Sequence, residues 1–190
     1  MHLMPQTSAK IRKCTGDAVK LKTFTSHRVG VAAEAIAAAQ FARLGYDVSV
    51  QYGANQPEYD LMIAKGAHML KVSVKGSQDG SWGLTQSYLT RGKADYAAAA
   101  DVWHARHSAR TVLCFVQFKG VSVDELPRMY LATPRDVVAQ LKKSAAGRGE
   151  TILYEHKAWS ARATGAGTVD AVPASWKLTA ARIDKLLASR

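Results

Sequence analysis

Two cysteines, five prolines and 15 acidic residues are few for a chain of 190, and each scarcity closes off a class of protein. Cys14 and Cys114 lie far apart with no second cysteine near either, which excludes a disulfide framework and a Cys-x-x-Cys metal site. Cys114 falls inside an apolar run and reads as a small core residue. No apolar stretch approaches the ~20 residues that cross a bilayer, so no transmembrane helix and no membrane partner are expected. The basic N-terminus, with Lys10, Arg12 and Lys13, has no apolar segment behind it and does not resemble a secretory signal. The expected location is the cytoplasm, or the nucleoid if the source is prokaryotic. No internal repeat is visible.

What the chain does have is positive charge. Lysine and arginine number 26, giving a formal net charge of +11 and a pI near 9.8. Before residue 29, six bases face the single acid Asp17, and Lys142, Lys143, Arg148, Lys177, Arg182, Lys185 and Arg190 load the C-terminal part. Charge spread over that length favours a polyanion over a small acidic metabolite, because counterion release rewards many separated phosphate contacts. Solubility alone is the plainer explanation of the same charge.

Hydrophobic patterning divides the chain into a basic arm over 1–27, a folded core over 28–145 and a basic C-terminal extension over 146–190 packed on that core. The alanine-rich segment from Arg28 to Leu44, without proline and followed by Gly45, is the strongest helix signal. Short alternating strands follow at 46–51, 58–64 and 69–76, separated by turn residues, and imply a meander. A helix is expected over 93–105, a buried strand over 111–118, and a further strand over 128–132. Thr133 and Pro134 read as the N-cap and first residue of a helix to Lys143. Residues 147–149 and 161–173 have loop composition, and 179–189 reads as a helix with Ile183, Leu186 and Leu187 on one face. The expected class is α/β, with a mixed sheet flanked by helices.

Three charged residues stand out against this pattern. Helical stepping aims Glu34 at the face of Gly30, Ala38 and Phe41, where a buried carboxylate requires a cation, a donor network or water. A salt bridge to a lysine and a metal role both answer that requirement. Alternation sets Asp60 with Glu58 and Met62, opposite Tyr59, Leu61 and Ile63, and sets Lys71, Ser73 and Lys75 opposite Leu70, Val72 and Val74. If the two strands form a hairpin across Lys65-Gly66, Asp60 and Lys75 meet at the end far from the turn. A hard divalent cation needs only one or two carboxylates, a carbonyl and substrate phosphate, while a lysine nearby orients water or stabilises developing charge.

Gly30-x-x-Ala33-Glu34, Phe41-x-x-x-Gly45-Tyr46-x-Val48, Tyr59-Asp60-Leu61 and Val72-x-Val74-Lys75-Gly76 together resemble the PD-(D/E)XK nuclease superfamily over residues 28–118. They are most similar to the branch of group I intron-associated endonucleases and Holliday-junction-resolvase-like proteins. The resemblance implies a restriction-endonuclease-like α-β-β-β-α-β core that hydrolyses DNA phosphodiesters. It implies Mg²⁺, with Mn²⁺ as substitute, bound by Asp60 and the Val74 carbonyl. Glu34 would act directly or through water, and Lys75 on the nucleophile. The departure is Ser73, where the superfamily usually has Glu or Asp; Glu34, Glu58 or Asp79 could supply the missing acid, and the sequence does not distinguish among them. Arg28, Lys71, Gln78, Trp82 and Lys93 are candidate DNA contacts, Trp82 having a core-capping role as its alternative. His104-x-x-His107 has metal-like spacing but no acid or cysteine beside it, so no zinc site is expected. The expected partner is double-stranded or branched DNA, met by a homodimer if both strands are cut. The alternatives are a catalytically inactive nucleic-acid-binding protein on the same fold, and a scaffold subunit whose basic ends bind protein or RNA.

Overall fold

The computed structural model describes residues 25–51, 58–90 and 94–189. The sequence places apolar residues at every second position in the strands and every third or fourth in the helices, and the structure stacks these into three layers. Strands β1 (Asp47–Val50), β2 (Leu61–Lys65) and β3 (His68–Ser77) form the expected meander. Strand β4 (Ser81–Gly83) precedes β5 (Thr111–Gln117), which runs parallel to β3, and β6 (Arg128–Ala132) closes the edge antiparallel to β5. The central sheet is mixed and ordered β1-β2-β3-β5-β6.

Helices α1 (Ser26–Arg43), α2 (Tyr96–His104), α3 (Pro134–Lys143) and α4 (Ala180–Ala188) flank it. Ala33, Ala37 and Phe41 of α1 and Ile183, Leu186 and Leu187 of α4 pack with Leu61, Ile63, Val72, Val74 and Cys114 on one face. On the other, Ala100, Trp103, Val137 and Leu141 of α2 and α3 meet Leu113 and Phe115. Because β5 is covered on both faces, all seven of its residues are buried, which is why it reads as an unbroken apolar run. Each of the three large apolar residues of α4 contributes ~1.5–3 kcal/mol by leaving water, so the C-terminal segment is part of the packed body.

Helix α1 begins two residues before Arg28, capped by Thr25 Oγ1, which accepts from the Arg28 N–H. Gly45 follows its end at φ +85°, a conformation glycine adopts without strain. The capping box at α3 matches the sequence reading: Thr133 Oγ1 accepts from the Asp136 N–H while the Asp136 carboxylate accepts from the Thr133 N–H. Three short strands, β7 (Ile152–Tyr154), β8 (His156–Ala158) and β9 (Val169–Ala171), occupy the C-terminal third, β7 pairing with β4 and β8 with β9. Among the described residues no helix is long and apolar enough to cross a membrane.

Candidate active site

The site lies where the sheet opens. Strand β3 has ten residues and β2 only five, so β3 runs on past Val72 with β5 on one edge and little on the other. Asp60 fills part of that gap. Its N–H donates to the Val72 carbonyl at 2.9 Å, and its carboxylate Oδ2 accepts from the Val74 N–H at 2.6 Å. The side chain thus replaces the carbonyl that a longer β2 would have offered. In a strand the N–H and C=O of one residue face the same edge, so the Val74 carbonyl opens toward the same gap as the Asp60 carboxylate. The Asp60 carbonyl in turn accepts from the Gln51 N–H at 2.9 Å.

Lys75 follows Val74 and projects to the opposite face of the sheet, in register with Phe115, while Ser73 is in register with Leu113. The hairpin register brings Asp60 and Lys75 to the end of the ladder far from the turn, as the alternation implied. Lys75 is half-buried, and its ammonium forms no hydrogen bond or ion pair among the described residues. Glu34 approaches from α1. Burial raises its pKa above the ordinary carboxylate range, and the Asp60 charge raises it further, while Lys75 and His27 pull it down. Two carboxylates, one lysine and one histidine therefore share a single electrostatic neighbourhood.

The position of Glu34 differs in one respect from the sequence reading. The buried stripe of α1 is Val29, Ala33, Ala37 and Phe41, and Glu34 borders it, half-buried, instead of pointing into its centre. The cause is Gly76. A β-carbon there would lie 2.8 Å from the Val29 carbonyl oxygen and 2.9 Å from the Ala33 β-carbon, so the helix rests directly on the strand at the residue after Lys75. That approach turns Ala33 inward and leaves Glu34 half-exposed at the rim.

Ser73 is buried, 3% exposed, and brings no charge to the site. The acids proposed to compensate separate clearly. Glu58 accepts from the Ser108 N–H and the Thr111 hydroxyl; burial opposes its ionisation, but these bonds and the Lys71 charge outweigh it and hold its pKa low. Asp79 is closed into the turn after β3 by Ser77 and Ser81, and its pKa is likewise lowered against the effect of burial. Glu34 is the acid left beside Asp60. Among the described residues no three of His, Cys, Asp and Glu gather as a metal-binding group, and this extends to His104 and His107. Two carboxylates that repel each other beside an open carbonyl nonetheless suit Mg²⁺, which keeps several waters and takes few protein ligands. The donor set fits the ion.

Of the proposed DNA contacts, Trp82 requires correction. It is 2% exposed, packed on Phe115 at 5.1 Å between ring centroids and on Tyr130 at 6.3 Å, so it caps the core and cannot meet a substrate. Lys71 lies on β3 with its ammonium 5.0 Å over the Tyr59 ring, Arg28 is exposed in the first turn of α1, and Gln78 is half-buried in the turn that follows β3. Lys93, most of the N-terminal arm including Cys14, and the turn residues 52–57 lie outside the described residues. Cys114 is fully buried and its thiol is pushed far up by burial, so it is inert. The sequence reading missed His27, which stands seven residues, or two helical turns, before Glu34 on the same face; helical spacing was the signal available.

No family model matches the chain, and no match is found among curated proteins. Among solved structures the chain is similar to a bacterial homing endonuclease, at 18% identity over 60% of this chain and 69% of that one, with a TM-score of 0.33. A likeness that loose carries no argument about this chain.

Proposed function

We propose that this protein is a divalent-metal-dependent DNA endonuclease of the PD-(D/E)XK type, with Asp60, Glu34 and Lys75 as its working groups. The observation that carries the reading is the Asp60 carboxylate turned onto the Val74 N–H at 2.6 Å, which lodges an acid beside Lys75 on the unpaired edge of β3. That bond fixes one carboxylate oxygen and leaves the other for a ligand. Asp60, Glu34 and the Val74 carbonyl would hold the ion. Mg²⁺ bound there, or Mn²⁺ in its place, would offset charge building on the scissile phosphate and lower the pKa of the attacking water. Lys75 orients that water or stabilises the developing charge, its ammonium having no competing partner among the described residues. Glu34, half-buried at the rim beside Asp60, would meet the ion directly or through water. Arg28, Lys71 and Gln78 border the approach to the strand, and duplex or branched DNA is the substrate class. Cutting both strands of a duplex requires two such sites, which a homodimer supplies.

Buried Ser73 favours a second reading, in which the same surface binds DNA without cutting it, since a hydroxyl is a poor Mg²⁺ ligand. Incubation with supercoiled, linear and branched DNA in Mg²⁺, Mn²⁺ or chelator separates the two. Metal-dependent cleavage of any of the three supports the nuclease. Salt-sensitive binding of all three, with no cleavage under any condition, establishes the second reading instead.

A further inference from the structure

A cleft of about 570 Å³ opens at the end of α2 and the starts of β5 and α3, lined by His104, His107, Ser108, Arg110, Thr133 and Arg135 among others. Among the described residues no acidic side chain lines it. Both arginines are exposed, and neither forms an ion pair among the described residues. Glu58, which bonds Ser108, and Asp136, which follows Arg135, are both already engaged. Glu58 holds the Ser108 N–H and the Thr111 hydroxyl, while Asp136 caps α3 and accepts from Arg182. The capping box engages the Thr133 and Asp136 N–H groups and Pro134 has none, so the cleft's charge comes from its guanidinium groups. Clustering unpaired cations costs repulsion.

The cleft adjoins the candidate site. The Arg110 carbonyl accepts from the Lys71 N–H at 3.1 Å, which fixes the cleft against β3. His107 feels the charges of Glu58 and Lys75, and its own pKa is lowered, chiefly by burial; its Nδ1–H is spent on the Trp103 carbonyl, so the neutral ring adds no further repulsion. Lys75, Lys71 and Arg110 thus follow one another along β3 and its neighbour toward Arg135.

We propose that this cleft binds backbone phosphates of the substrate DNA a few nucleotides from the cleavage point, with Arg110 and Arg135 as the contacting groups. The inference rests on the nuclease reading only in taking DNA as the partner. Two guanidinium groups suit phosphate oxygens because each presents paired donors in a plane. Such contacts position the duplex without reading its sequence.

The test is fluorescence anisotropy of a labelled duplex in chelator, over a salt series, with wild type, Arg110→Ala/Arg135→Ala, Arg110→Lys/Arg135→Lys and Arg43→Ala. Arg43 lies at the far end of α1 from Glu34 and serves as the remote cation. The double alanine variant should lower the slope of log K against log salt by about 2, about 1 per lost phosphate contact, and weaken binding at least about tenfold. The double lysine variant should recover most of the slope, and Arg43→Ala should leave it unchanged. Both arginines are exposed, so the melting temperature should not move. An unchanged slope in the double alanine variant, an equal loss in Arg43→Ala, or no DNA binding by wild type overturns the proposal. The two readings fail separately. Wild type that cuts DNA, beside a double alanine variant with undiminished binding, sinks the cleft alone. Loss of binding in that variant, beside wild type that never cuts, sinks the catalytic reading alone.

Discussion

Gly76→Ala should both destabilise this protein and disable its site, and the two effects share one cause. The added methyl would lie 2.8 Å from the Val29 carbonyl oxygen and 2.9 Å from the Val29 Cγ1 and Ala33 Cβ atoms. Ordinary carbon contacts are ~3.5–4.0 Å, so α1 must retreat by roughly 0.5–1 Å. A helix backbone cannot swing aside as a flexible side chain does. Overpacking of this kind costs ~1–3 kcal/mol, of which relief of glycine's conformational freedom returns ~0.5–1 kcal/mol. A net loss of about 1–2 kcal/mol lowers the melting temperature of a chain this size by roughly 2–8 °C. The retreat carries Glu34 away from Asp60, and a displacement near 1 Å costs up to ~10²-fold in rate. Gly30 on the same helix is the control, because a β-carbon there meets nothing within 4 Å. Gly30→Ala should stabilise by ~0.5–1 kcal/mol, as a helix-interior glycine replaced without strain. Thermal melts followed by circular dichroism measure both. A Gly76→Ala protein that melts at or above wild type would refute the packing argument.

Glu34→Gln should raise the melting temperature in chelator at neutral pH, because burial and the Asp60 charge both disfavour the carboxylate it removes. A carboxyl whose folded pKa is raised costs stability while ionised, and that cost disappears as pH falls through the folded pKa. The difference between variant and wild type should therefore shrink toward the ordinary carboxylate range, as melts from pH 8 to pH 4 would reveal; a constant difference contradicts it. The same variant should need more Mg²⁺ for cleavage, read from the rate against metal concentration. Thr133→Ala removes one half of the α3 capping box and should cost ~1 kcal/mol, lowering the melting temperature by about 2–4 °C without changing the Mg²⁺ requirement.

Where one period dominated a segment, the sequence was legible. The β2–β3 hairpin followed from alternation on either side of Lys65-Gly66, the α3 cap from Thr133-Pro134, and the buried face of α4 from Ile183, Leu186 and Leu187. Asp60 and Lys75 could be placed together because a hairpin register fixes both. Glu34 came out slightly misoriented, since α1 is nearly all small residues and any of several faces would serve; the Gly76 contact, between segments forty residues apart, decides which. The β4–β7 and β8–β9 pairs were hidden because three-residue strands are too short to display a period. Trp82 was ambiguous for the same reason, its core position depending on Phe115 and Tyr130, which are distant in the chain. The compensating acids separated only when the partners of Glu58 and Asp79 were known.

The most direct test of the site is the single-turnover cleavage rate of Asp60→Asn and Lys75→Ala beside wild type, at saturating Mg²⁺ on whichever DNA the wild type cuts. Asparagine retains an oxygen for the Val74 N–H, so the first variant keeps the local fold while losing the charge. Each substitution should slow cleavage by ~10²-fold or more, as expected when a group that stabilises transition-state charge is removed. Rates within tenfold of wild type in both variants would show that Asp60 and Lys75 are not the site.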